Sequence, residues 1–308
     1  MIQLPCILCE CGFIASAPLL TAKPFAATDY ESCLRKSERC GIGFSNGSTR
    51  VTTILKNAFR GLPDHIATGH DKVLAQSLNE RNRASKVRKF AFSSSVDHLT
   101  WVVFRHLHLA KQLRLATASL GILMAEGSSK EPSLLLWGSP VPSGDLGGKR
   151  LNDALLKVSD TLGEVSTCRS EPDVVLDFGT AGIVLIEIKH RSPNEVKQAD
   201  YPNWSRYLTG TTAFRSADGV KNAGLYELAR NWRVAFELAE GRPFAVVNLG
   251  PERLFDDDNR RRLDTFINAL HQSASNRFLM ATWRDFFVGV HPLPDWLSNY
   301  LADRYVVR

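Results

Sequence analysis

The run formed by residues 183–189, IVLIEIK, is apolar except for an acid and a lysine two positions apart at its end. A short, almost wholly apolar segment is what a strand buried on both faces looks like. Residues two apart on a strand point to the same side of the sheet, so Glu187 and Lys189 share a face. Burying both costs several kcal/mol unless they pair with each other or bind an ion. Any fold for this chain must therefore offer a buried strand whose last residues reach a polar environment.

The residues just before it give that strand a partner. Val174, Leu176 and Phe178 alternate with Asp173, Val175 and Asp177, the period-2 pattern of a second strand. Gly179 and Gly182 bracket a turn between the two, so a hairpin is expected over 173–189. The spacing brings Pro172-Asp173 into register with Glu187-Ile188-Lys189, fourteen positions later.

This set resembles the PD-(D/E)xK motif of the restriction-endonuclease-like nuclease superfamily. The resemblance implies that Asp173 and Glu187 hold a divalent metal, with the carbonyl of Ile188 as a further oxygen ligand. It implies that Lys189 orients and activates the attacking water. Mg²⁺ or Mn²⁺ is the expected cofactor, since both take oxygen ligands. The alternative for the same residues is a buried Glu187–Lys189 pair, or one that simply reaches solvent at the strand end.

Upstream, a helical pattern runs over 65–90, with Val73, Leu74 and Leu78 on one face. Its end carries Arg81, Arg83, Lys86, Arg88 and Lys89, the densest basic patch of the chain. Two readings stay open for this patch: a solvated helix face, or a surface that contacts nucleic-acid phosphates. Ser93, Ser94 and Ser95 offer caps for a second helix over 96–115. Asp97, Trp101, Phe104, Arg105 and His108 share one stripe of it. SSSVDHLTWVVFRHL resembles the first core helix in a group of uncharacterised nucleases of the same superfamily. There that helix adds an acid to the metal site, and Asp97 is the matching position, although Glu is more usual. Asp97 equally suits the helix dipole as a first-turn acid. His98, His106 and His108 lack metal-ligand spacing among themselves and read as surface or packing residues.

A strand is expected over 134–137, a Pro- and Gly-rich loop over 138–148, and a helix over 149–162. After the hairpin, Gln198 falls where relatives carry a polar residue supporting the site. Trp204, Arg206 and Tyr207 suit packing or contact with an unpaired base. A long amphipathic helix covers 220–240, with Leu225, Leu228, Trp232, Phe236 and Ala239 buried and Arg230 and Arg233 facing away. Its sequence resembles the helix that follows the catalytic hairpin in the same group. A strand follows at 243–249. Asp256, Asp257 and Asp258 then precede Arg260, Arg261 and Arg262, as expected of acids complementing a helix dipole. A last strand over 277–282 and broken helical segments close the chain.

Together these elements indicate an α/β (α+β) fold with a mixed central sheet flanked by helices, of the restriction-endonuclease-like kind. Residues 1–60 form a poorly defined N-terminal segment, and 61–308 a nuclease-like domain with its core at about 93–283. With 44% hydrophobic and 23% charged residues among 308, the chain is an ordinary globular protein rather than a disordered one. Its net charge of +6 suits a polyanionic partner. No run approaches the roughly 20 apolar residues of a membrane span, and the N-terminus lacks the basic start of a secretory signal. A cytoplasmic location is expected. Cys6, Cys9, Cys33 and Cys40 are too unevenly spaced for a usual zinc knuckle and read as thiols in a reducing compartment. The function expected is metal-dependent hydrolysis of nucleic acid, with DNA as the substrate and restriction or mobile-element defence as the family-level role. A homodimer is compatible with it. The alternative is a non-catalytic nucleic-acid-binding or assembly protein that retains the fold.

Overall fold

Six strands make the central sheet, and the hairpin sits in its middle. The structure, a computed structural model, describes residues 2–3, 14–15, 27–33, 35–38, 40–46, 51–122, 130–142, 146–273 and 276–304. After a two-residue antiparallel pairing of Ile2–Gln3 with Ile14–Ala15 come three short strands, β1 (Arg35–Ser37), β2 (Ile42–Asn46) and β3 (Val51–Leu55), paired antiparallel in a small separate sheet. Leu55 N–H donates to Ala91 O and Ser93 N–H to Thr53 O, so this sheet is tied to the chain just before the Asp97 helix. Cys6, Cys9 and Cys11 lie outside the described residues, while Cys33 and Cys40 are buried and Cys168 is exposed.

The single helix expected over 65–90 is three: α1 (Asp64–Ala67), α2 (His70–Ala75) and α3 (Glu80–Lys89). Gly69 takes φ +89°, which ends one turn and starts the next. Asn79 then caps α3 by accepting from Asn82 N–H at 3.3 Å. The helix expected over 96–115 divides likewise into α4 (Val96–Leu109) and α5 (Leu113–Ala118), because the backbone turns left-handed at Lys111. Ser95 caps α4.

The sheet contains β4 (Ser133–Leu136) and β5 (Ser139–Pro140), then, after helix α6 (Leu146–Thr161), the hairpin strands β6 (Val174–Asp177) and β7 (Ile183–Ile188). Helices α7 (Trp204–Leu208), α8 (Ala217–Ala223) and α9 (Tyr226–Ala239) connect β7 to β8 (Phe244–Gly250). Gly224 divides the helix expected over 220–240. Its φ is +74°, and a Cβ there would meet Lys197 O at 2.9 Å. Helix α10 (Asp257–Ala269), strand β9 (Asn276–Thr282) and helices α11 (Trp283–Phe287) and α12 (Asp295–Asp303) complete the chain.

In space the order is β9-β8-β7-β6-β4-β5. β8 runs parallel to β9 and β7, and the remaining neighbours are antiparallel, so the sheet is mixed as expected. Both faces are covered. Val174, Leu176, Val184 and Ile186 pack with Trp101 and Phe104 of α4 on one side. Val175, Leu185 and Val246 pack with Leu155 of α6, Trp232 of α9 and Phe266 of α10 on the other. This two-sided burial explains why β7 is apolar in both phases of its alternation. Among the described residues no helix is long and apolar enough to cross a membrane. Asp256 caps α10 by accepting from Asn259 N–H, and Asp258 pairs with Arg261, as the acidic triplet suggested.

Candidate active site at the hairpin end

Glu187 is the next-to-last residue of β7 and lies on the face that α9 covers, alternating with Ile186 and Ile188 on the other. The hairpin register, continued one residue beyond β6, sets Asp173 opposite Glu187, and Asp173 Oδ2 accepts from Ile188 N–H at 2.8 Å. Lys189 follows β7 directly, and its Nζ donates to Glu187 Oε1 at 2.8 Å. The three motif residues are thus brought together. They line a cavity of about 530 Å³ that Asp97, Ile188, His190 and Glu227 also border.

Two residues of α9 complete this side of the site. Glu227 Oε2 accepts from Lys189 Nζ at 2.7 Å, so the ammonium bridges two carboxylates. One helical turn on, the fully buried Asn231 donates its amide to Glu187 Oε2 at 2.7 Å. Both oxygens of Glu187 are therefore engaged and its position is fixed. Neither residue was anticipated from sequence. The available signal was their i, i+4 spacing on a helix that follows the hairpin, which points them at a common neighbour.

The electrostatics follow from burial and proximity. Burial and the neighbouring Glu187 carboxylate hold Asp173 well above the usual carboxylate range, with Lys86 and Lys189 opposing. Burial works against the charge of Lys189, but Glu187, Glu227 and Asp173 outweigh it and raise its pKa. Burial likewise pushes Glu227 up, but Lys189 and Arg230 overcome it and bring Glu227 below its ordinary value. Arg230 does not face away from the fold as its helix pattern suggested. It is half-buried, and despite burial the carboxylates of Glu227 and Glu187 strengthen its charge. Arg233 is buried too, donating to Tyr207 O and Thr209 O and pairing with Glu237.

The opposite wall of the cavity belongs to α3 and α4. Asp97 borders the cavity, but its Oδ1 accepts from Lys86 Nζ at 2.8 Å. Lys86 also lies 3.3 Å from Glu171 Oε2. The carboxylate expected to join the metal site thus borders the cavity, with one oxygen paired to a lysine. Among the described residues no group of three or more His, Cys, Asp or Glu side chains is arranged to hold a metal ion.

The basic end of α3 divides accordingly. Arg81, Arg88 and Lys89 are exposed, and Lys89 reaches the cavity rim. Lys86 turns inward to the acids, and Arg83 donates to Ser77 O at 2.8 Å, so these two do not belong to an open phosphate-contacting face. Gln198 is exposed and does not border the cavity; its carbonyl accepts from Trp204 Nε1 at 2.8 Å. Trp204 and Tyr207 are core residues and offer no ring to a base, while Arg206 is half-buried. His98 and His106 are buried in packing contacts.

Two carboxylates and a strand-end carbonyl form an oxygen donor set of the kind that hard divalent cations take. The fit rests on that donor chemistry and on its positioning, since Ile188 N–H holds Asp173 Oδ2 while Lys189 and Asn231 hold the two oxygens of Glu187 beside the cavity. Comparison of the chain with family models, with curated proteins and with solved structures finds no match.

Proposed function

We propose that this protein is a metal-dependent nuclease that hydrolyses phosphodiester bonds in nucleic acid, with DNA as its substrate. The observation that carries the reading is the convergence of Asp173, Glu187 and Lys189 on one open cavity at the hairpin end. Asp173, Glu187 and the Ile188 carbonyl would hold Mg²⁺ or Mn²⁺, which supplies positive charge at the scissile phosphate and lowers the pKa of water.

The chain's own residues do the rest. The Lys189 ammonium, carrying its proton, donates hydrogen bonds to the attacking water and offsets charge developing on the phosphate. Glu227 holds the same ammonium through a second hydrogen bond. Asn231 holds the Glu187 carboxylate, so the donor set is organised before substrate arrives. Lys89 at the rim and the exposed Arg81 and Arg88 of the same helix would receive flanking phosphates.

Calorimetric titration with Mg²⁺ tests the assignment. Binding is expected in the wild type, with complete loss in Asp173→Ala and weakening in Glu187→Ala. Equal binding by Asp173→Ala would overturn it.

A further inference from the structure

Lys86 and Lys189 both act on Asp173 and are held in matching circumstances. Lys189 bridges Glu187 and Glu227 at 2.8 and 2.7 Å. Lys86 bridges Asp97 and Glu171 at 2.8 and 3.3 Å. The side chains of Lys86, Asp97 and Glu171 are only 13%, 14% and 6% exposed. The Lys86 ammonium also lies 5.1 Å from the centre of the fully buried Trp137 ring. Two carboxylates and an aromatic face give an ammonium with three donors a complete set of partners. A lysine this enclosed on a helix otherwise rich in exposed basic residues is a built feature of the site.

Asp97, Asp173, Glu187 and Glu227 line the cavity together with Lys86, Lys89, Lys189 and Arg191. Lys86 pairs with both Asp97 and Glu171. Were it absent, two largely buried carboxylates would lose their paired cation, an arrangement that attracts another.

We propose that Lys86 takes the place of a second cation, so that the centre holds one divalent ion and Asp97 is the counter-ion of the lysine. The inference rests on the metal-dependent reading of the site. Lys86 is then a positioning residue, holding α3 and α4 against the segment that carries Glu171 and Asp173.

Counting bound Mn²⁺ by electron paramagnetic resonance of the full chain tests this without any activity measurement. One ion per chain is expected in the wild type and in Lys86→Arg. Lys86→Met should bind two, the second disappearing in Lys86→Met combined with Asp97→Asn. Because Lys86→Met exposes buried acids and can fail to fold, Asp97→Asn alone provides a second check. It should still bind one ion, with a Kd within about threefold of wild type, a difference under about 1 kcal/mol. Two ions in the wild type, one ion in folded Lys86→Met, or none in Asp97→Asn would each overturn the proposal. Absence of binding in every protein, wild type included, would instead remove the metal-dependent reading, and this inference with it.

Discussion

Asn231 donates its side-chain amide to Glu187 Oε2 at 2.7 Å, joining the middle of α9 to the end of β7 where neither is exposed. A buried carboxylate that loses such a donor keeps its desolvation cost without compensation. Asn231→Leu is therefore expected to lower stability by about 1–3 kcal/mol. Urea unfolding measures this loss, and the same variant should bind Mg²⁺ more weakly than wild type. An unchanged unfolding midpoint would show that the contact contributes nothing.

The exposed part of the α3 basic end has its own consequence. If Arg81, Arg88 and Lys89 meet duplex phosphates, changing all three to Gln should flatten the dependence of log K on log salt. Each lost contact is worth about 0.9 in that slope. Binding titrations over a range of salt concentrations read it, and an unaltered slope would leave these residues as a solvated face.

How far the sequence led can be judged from particular residues. The β6–β7 hairpin was legible because strict alternation, a glycine turn and two charged residues in an apolar run all pointed one way. The mixed sheet and its helical layers followed from the same periodicities. Glu227 and Asn231 were not legible, because polar residues on an amphipathic helix look alike whether they meet solvent or a neighbouring strand end. Lys86 was hidden among similar basic residues, and only the packing of α3 near Glu171 selects it. The breaks at Gly69 and Gly224 were visible as glycines, but their left-handed backbone depends on close approaches such as Lys197 O to Gly224.

His98 gives the fold a pH dependence separate from the site. Its Nδ1 accepts from Arg304 Nη2 at 2.6 Å and lies 3.2 Å from Tyr300 Oη, with His70 also close by. Burial, then the charges of Arg304 and His70, hold the imidazole well below its ordinary value. The folded chain thus refuses a proton that the unfolded chain accepts near pH 6.5. Stability present above that pH should fall as pH drops below it, by about 1.4 kcal/mol per unit for this one group. Urea midpoints at about pH 7.5 and about pH 5.5 should differ less in His98→Gln than in wild type. An equal difference in both would assign the acid sensitivity elsewhere.

The most direct measurement is conversion of supercoiled plasmid to nicked or linear DNA, with Mg²⁺ and with EDTA, by wild type and Lys189→Ala. Lys189 borders the cavity, so its removal takes away a donor to the reacting groups, while Asn231 still holds Glu187. Cleavage by wild type is expected only with Mg²⁺, at a rate that Lys189→Ala lowers by about 100- to 1000-fold, with Mg²⁺ binding retained. Cleavage at the wild-type rate by Lys189→Ala, or no Mg²⁺-dependent cleavage by the wild type, would contradict the proposed function.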